Sequence, residues 1–218
     1  MTRRQPPVIE NPLERDWPGQ LVLGMDEAGR GPIAGPLVTA GVVFPPGYEN
    51  PALYDSKKLS EKKREALYPQ ILEDALEVQI RFVSEPEIDR LNIYRATQQA
   101  MEAMAERMTC DVILTDAMKL PACRKPWQAV VKGDQKSLSI AAASILAKVS
   151  RDRYMKHLDI LYPQYGLARH KGYPTKAHLQ ALEQFGLQSF YRRSYGPVQR
   201  LVMTGQESGS LFPAETGD

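Results

Sequence analysis

Apolar and polar positions alternate along this chain in two rhythms, and each rhythm predicts its own kind of element. L-V-L-G-M-D (21–26) and P-L-V-T-A-G-V-V-F (36–44) are short apolar runs rich in β-branched residues, the second closed by Pro45, Pro46 and Gly47. Both predict strands. L-E-V-Q-I-R-F-V (76–83) alternates as a half-buried strand does, and D-V-I-L-T (111–115) and Q-A-V-V (128–131) predict two more short strands. Helical spacing fills the intervals. Ser60 opens a helix running to about Leu76, and Ser84-Glu85-Pro86-Glu87 has the form of a capping box with proline in the first turn. The helix it starts is expected to reach about Met108, with Ile88, Leu91, Ala100, Met104 and Met108 near one face. S-L-S-I-A-A-A-S-I-L-A-K-V-S-R-D-R-Y-M (137–155) predicts a long helix whose Ala141, Ala142, Ala143 and Ser144 permit close packing on a sheet. Thr175 caps a later helix that Gly186 ends.

The first two strands leave no room for a helix between them and predict a hairpin, whereas the later strands alternate with helices. This pattern predicts a mixed α/β sheet covered by helices, with a helical C-terminal extension. The expected divisions are an extended, Pro- and charge-rich lead-in (1–19), the α/β domain (20–160), the helical extension (161–203) and a disordered polar tail (204–218). No internal repeat is visible.

Composition narrows the setting. No run approaches the roughly 18 apolar residues of a membrane span, and M-T-R-R-Q-P-P-V-I-E-N-P lacks the apolar core of a secretory signal. Cys110 and Cys123 form no C-x-x-C and have no histidine nearby, which fits a reduced cytoplasmic setting and not a structural zinc site. The net charge of +2 hides an asymmetry. Residues 1–108 hold 13 Lys/Arg against 17 Asp/Glu, whereas residues 109–206 hold 15 against 6. A basic second half points to a polyanionic partner or to a solvated basic surface, and charge alone does not separate them.

G-M-D-E-A-G-R-G-P-I-A-G (24–35) concentrates the candidate chemistry. Gly29-x-Gly31-x-x-x-Gly35 resembles a dinucleotide loop only superficially. It lacks the spacing G-x-G-x-x-G, and it leads into a strand where such a loop must lead into a helix. Its glycines instead allow a ligand close to the backbone. Asp26-Glu27, Asp116 and Asp134 each follow an apolar strand directly. Taken singly, Asp116 reads as a turn residue and Asp134 as an acid favouring a helix N-terminus. Taken together, three strand ends followed by carboxylates predict a cluster beyond the sheet edge, where α/β proteins bind ligands. Asp26 and Glu27 both reach such a site only if the strand ends or bulges there. Like charges so close need cations, and an all-oxygen donor set selects Mg²⁺ or Mn²⁺. Two such ions suit phosphodiester hydrolysis.

These segments together resemble the ribonuclease HII (type 2 ribonuclease H) family. The matching pieces are residues 24–36, D-S-K-K-L-S (55–60), T-D-A-M-K-L-P (115–121), V-K-G-D (131–134), I-A-A-A-S-I-L-A-K-V-S-R-D-R (140–153) and H-K-G-Y-P-T-K-A-H (170–178). The resemblance implies a ribonuclease H fold over 20–160. It implies an endonuclease cutting the RNA strand of RNA–DNA hybrids and duplex DNA 5′ of an embedded ribonucleotide, leaving 3′-hydroxyl and 5′-phosphate ends. It places Asp26, Glu27, Asp116 and Asp134 on the catalytic metal-site carboxylates. Gly29-Arg30-Gly31 falls on the loop that contacts the sugar 2′-hydroxyl through its backbone, and Tyr173 on the tyrosine that stacks on the adjoining deoxyribose. Lys57 and Lys58, Arg151 and Arg153, and Arg169 with Lys171 are candidate phosphate contacts. His157, His170 and His178 receive no catalytic role.

The chain departs from the family in three places. Ala117-Met118 stand where glycine-asparagine is usual, Pro174 restricts Tyr173 toward extended values, and Y-R-R-S-Y (191–195) replaces the usual histidine and phenylalanine and is assigned no contact. The rival readings are a related nuclease acting on DNA and a non-catalytic hybrid-binding protein. A monomer is expected, and Ser210-Leu211-Phe212 loosely resembles the end of a peptide that binds a sliding clamp.

Overall fold

The structure, a computed structural model, describes residues 8–203. The tail with its clamp-like peptide, and the first residues of the lead-in, lie outside the described residues. The predicted hairpin forms from β1 (Val22–Ala28) and β2 (Leu37–Val43), antiparallel with Met25 opposite Gly41. After α1 (Glu61–Asp74), β3 (Glu77–Val83) pairs antiparallel with β2. Two helices follow, α2 (Glu85–Leu91) and α3 (Ile93–Arg107). β4 (Val112–Asp116) then pairs parallel with β1, and β5 (Trp127–Val130) parallel with β4. The spatial order is β3-β2-β1-β4-β5, a mixed five-stranded sheet. Helix α4 (Leu138–Leu161) crosses one face, and α5 (Leu167–His170), α6 (Lys176–Phe185) and α7 (Gly196–Met203) form the extension.

The sheet buries both faces. On one, Val38, Ala40 and Val42 of β2 meet Ala141, Ala142, Ala143 and Ala147 of α4 and Leu67 and Ile71 of α1. On the other, Leu23 and Met25 pack on Met101, Met104 and Ala105 of α3. The small residues of α4 serve the close approach expected of them. Gly24 completes it, since a Cβ there would stand 2.2 Å from the backbone carbon of Ser139. The extension has its own core, in which Tyr165, Leu182 and Phe190 enclose Ile33, Ala34 and Met155 and so fasten it to the β1–β2 connection.

Four expectations are corrected. The helix from Ser84 to Met108 is two helices, broken at Asn92 with φ 66°. Asparagine is among the few non-glycine residues found at positive φ, and here its side chain accepts a hydrogen bond from Arg95 N at 3.0 Å, capping α3. The capping box at Ser84 does not form: the hydroxyl makes no cap bond, and Glu87 pairs with Arg81 at 3.3 Å. The lead-in is not extended throughout. Leu13–Asp16 is a 3-10 turn, and Glu14 accepts from Ser137 Oγ at 2.6 Å and from Ser139 N at 2.9 Å at the start of α4. Helix α4 also continues past Met155 to Leu161, because nothing interrupts it before Pro163.

Candidate active site

β1 and β4 run parallel, and their paired register ends at Met25 and Thr115. The next residues, Asp26 and Asp116, therefore project from adjacent strands at the same end of the sheet. Asp134 arrives from the turn Gly133–Gln135 that precedes α4. Carboxylate oxygens of Asp26, Asp116 and Asp134 lie within 4.8 Å of one another. The turn is tied to β4 by Gly133 N, which donates to Asp116 Oδ1 at 2.9 Å. Gln135 Nε2 donates to Asp55 Oδ2 at 3.2 Å, bringing the D-S-K-K segment alongside.

Glu27 completes the acidic group from one side. The strand neither ends nor bulges at Asp26; β1 continues to Ala28 against β2. Glu27 is half-buried beside the cluster without being one of the three converging acids. Its Oε1 meets Arg30 Nη1 at 3.4 Å, and its Oε2 is buried with no hydrogen-bond partner among the described residues. A buried carboxylate oxygen without a donor marks a place for a cation. Burial, then the neighbouring Glu27 and Asp116 charges, raise Asp26 well above the usual carboxylate range. Burial pushes Glu27 to about 7 against the pull of Arg30, and burial with Asp116 and Asp55 pushes Asp134 to about 6. The donor set is all carboxylate, with no thiol or imidazole, and it fits hard divalent cations.

Two lysines proposed as phosphate contacts part company. Burial works to lower Lys57, yet Asp26, Asp134, Asp55 and Asp116 outweigh it and hold its ammonium above its usual range. Lys58 instead lies over the Tyr54 ring, 5.2 Å from its centre. Arg153 pairs with Glu65 at 2.5 Å. Arg151 is 1% exposed and, among the described residues, bonds only backbone carbonyls, those of Pro36, Lys171 and Ala34 at 2.9, 2.9 and 3.0 Å. It is a clamp between segments and not a phosphate contact.

That clamp shapes the glycine-rich loop. Gly29 has φ 100°, and a Cβ there would stand 2.1 Å from Arg151 Nε, so no other residue fits without displacing the arginine. Arg30 and Gly31 are exposed, and the Tyr173 ring lies 3.2 Å from where a Gly31 Cβ would be. Tyr173 is held through its backbone. Its carbonyl can only accept, so His178 Nδ1, at 2.9 Å, carries the proton, and His178 Nε2 then accepts from Tyr191 Oη at 3.0 Å. Burial lowers His178 to about 4, which keeps the ring neutral for this role. The Ala117 departure has a visible consequence: Ala117 takes φ 58° directly after Asp116. That is a left-handed value costing about 1–2 kcal/mol without glycine. Its N–H is nonetheless held, 3.1 Å from both Thr115 O and Val130 O.

Sequence reasoning missed Asp55, which Gln135 joins to the acidic cluster, and Arg192 and Tyr195, which donate to the Arg30 carbonyl of the glycine-rich loop. Arg192 and Tyr195 lie in the segment that was assigned no contact, and only their departure from the family pattern singled them out.

A family model described as Ribonuclease HII matches residues 23–198. The chain is 50% identical over 189 residues to a protein named Ribonuclease HII from Halalkalibacterium halodurans, covering 86% of this chain and 72% of that one. The crystal structure of the ribonuclease H2 from Pyrococcus horikoshii OT3 is similar with a TM-score of 0.76 at 25% identity, covering 86% of this chain and 100% of that one. The ribonuclease HII of Archaeoglobus fulgidus, solved in complex with PCNA, is similar with a TM-score of 0.65 at 26% identity, covering 80% and 95%. Since the matched span takes in the sheet, the acidic cluster and most of the helical extension, the chain belongs to the ribonuclease HII family and is an endonuclease of ribonuclease H type.

Proposed function

We propose that this endonuclease cleaves the RNA strand of RNA–DNA hybrids and incises duplex DNA on the 5′ side of a single embedded ribonucleotide, leaving 3′-hydroxyl and 5′-phosphate ends. The observation that carries the reading is the convergence of Asp26, Asp116 and Asp134 within 4.8 Å beside the exposed Arg30-Gly31 turn and the Tyr173 ring. Asp26, Glu27, Asp116 and Asp134 would hold two Mg²⁺ or Mn²⁺ ions. Bound there, such ions neutralise the acids, supply a nucleophilic water and stabilise the leaving oxygen of an in-line displacement.

The chain's own groups divide the remaining work. Lys57, whose charge already faces the cluster, meets the substrate phosphate. The backbone around Gly29 and Gly31 meets the 2′-hydroxyl, the atom that separates RNA from DNA. Tyr173, 47% exposed, offers its ring to the sugar that follows. A non-catalytic binder would leave the buried acids repelling its own ligand, and a DNA nuclease would have no use for a sugar grip.

The test is cleavage mapping on a duplex with one ribonucleotide, with Mg²⁺ and with Mn²⁺. A single nick 5′ of the ribonucleotide is expected. Equal cutting of an all-DNA duplex would return the site to the DNA-nuclease reading. The Archaeoglobus complex with PCNA supports a second element, that the tail around Leu211 and Phe212 meets a sliding clamp. Here the full chain is expected to retain a clamp on a column, and a chain ending at Met203 to lose it. Equal retention would remove the element.

A further inference from the structure

The peptide between Arg30 and Gly31 is held from behind by the C-terminal extension. Tyr195 Oη donates to the Arg30 carbonyl at 2.6 Å. Arg192 Nη1 donates to the same oxygen at 3.3 Å and to Tyr195 Oη at 3.0 Å. Arg192 is fully buried, its guanidinium 5.2 Å from the Tyr195 ring centre, and its Nε donates to Gly35 O at 2.9 Å. Both ends of the turn are therefore anchored to one guanidinium, and the tyrosine hydroxyl is the shorter link to Arg30.

Peptide planarity turns this anchor into an orientation. In a trans peptide the carbonyl and the following N–H point in opposite directions. Holding the Arg30 oxygen toward Tyr195 and Arg192 aims the Gly31 N–H away from them. A phenylalanine at 195 would keep the ring over the guanidinium and lose this bond.

We propose that the Tyr195 hydroxyl is a specificity-positioning residue that fixes the Arg30–Gly31 peptide so that the Gly31 N–H meets the 2′-hydroxyl of the ribonucleotide being cleaved. The inference rests on the proposed function, in which this loop grips that hydroxyl. Tyr195 itself touches no substrate. Its contribution is discrimination, because a loop with a looser peptide still binds phosphates but no longer presents a fixed donor to the sugar.

The test compares Tyr195→Phe with the parent chain, both carrying Asp26→Asn so that the duplex stays whole. Binding is read by fluorescence anisotropy with Mg²⁺ on two duplexes that differ only in one 2′-hydroxyl. The ratio of the two dissociation constants should fall about three- to ten-fold in Tyr195→Phe, the worth of one neutral hydrogen bond. Affinity for the all-DNA duplex should stay unchanged. An unchanged ratio overturns the inference, and so does an equal loss on both duplexes, which is the mark of a merely structural role. If the parent chain itself does not discriminate, the sugar-grip reading falls and this inference with it. If it discriminates and Tyr195→Phe does so equally, only the inference falls.

Discussion

Asp26→Asn is expected to abolish cation-dependent cleavage while leaving a metal-free protein that melts later than the wild type. The loss of cleavage should be at least roughly 10³-fold, since several kcal/mol of charge stabilisation depend on a central ligand. The stability gain has the opposite origin. Burial and the neighbouring carboxylates raise Asp26 in the folded state, so the folded protein holds its proton more tightly than the unfolded chain does. Such a group stabilises at pH values below its unfolded pKa, and that stability is lost as pH rises toward the folded value. Glu27, at about 7, and Asp134, at about 6, behave in the same sense. Metal-free wild type should therefore lose stability between about pH 4 and pH 7. An asparagine at 26 removes one charge from the cluster and offers its amide to Asp116 and Asp134. Thermal melts with chelator at pH 8 should show the variant ahead by several degrees, at roughly 2–4 °C per kcal/mol for a chain of this size. The difference should close near pH 4. Added Mn²⁺ should raise the wild-type midpoint more than that of the variant. Full cleavage by Asp26→Asn, or a lower metal-free midpoint at pH 8, would contradict the site as described.

Arg151→Ala should damage the fold before it damages duplex binding. The side chain joins three segments, donating to carbonyls of Ala34 and Pro36 on the β1–β2 connection and of Lys171 next to Tyr173. Burial, then nearby Arg192, lowers its pKa to about 10, and no carboxylate among the described residues hydrogen-bonds to it. Removing it leaves three carbonyls without their donor and a cavity beside Gly29 and Gly35. The expected cost is about 3–5 kcal/mol in urea or thermal unfolding. Arg151→Lys should recover only part of it, because one ammonium cannot reproduce the planar fork. A phosphate contact would behave differently: the salt dependence of duplex affinity would weaken by about one unit of slope while stability held. A variant that melts with the wild type and loses that slope would restore the phosphate role.

Residue type alone does not say what a charged side chain touches in the folded chain. Arg151 lies in I-A-A-A-S-I-L-A-K-V-S-R-D-R, where it is buried while Arg153, two residues on, is exposed and pairs with Glu65, and the run reads as one helix whichever way its cations point. Lys57 and Lys58 are adjacent, yet one senses four carboxylates and the other lies on Tyr54. Asn92 looks like one more polar position in a helical stretch until the chain takes a positive φ there.

By itself the sequence determined the hairpin, the alternation of later strands with helices, the small-residue face of α4 and the places where acids follow apolar strands. These depend on side-chain periodicity, caps and turn residues, which act within a few positions of one another. Only the tertiary structure decided that Asp26, Asp116 and Asp134 meet, that Glu27 stands beside them with an unpartnered oxygen, and that Arg151 and Arg192 hold backbone instead of phosphate. The role of a charge is set by the dielectric and the partners around it, and those come from chain-distant segments brought together when the sheet closes under its helices.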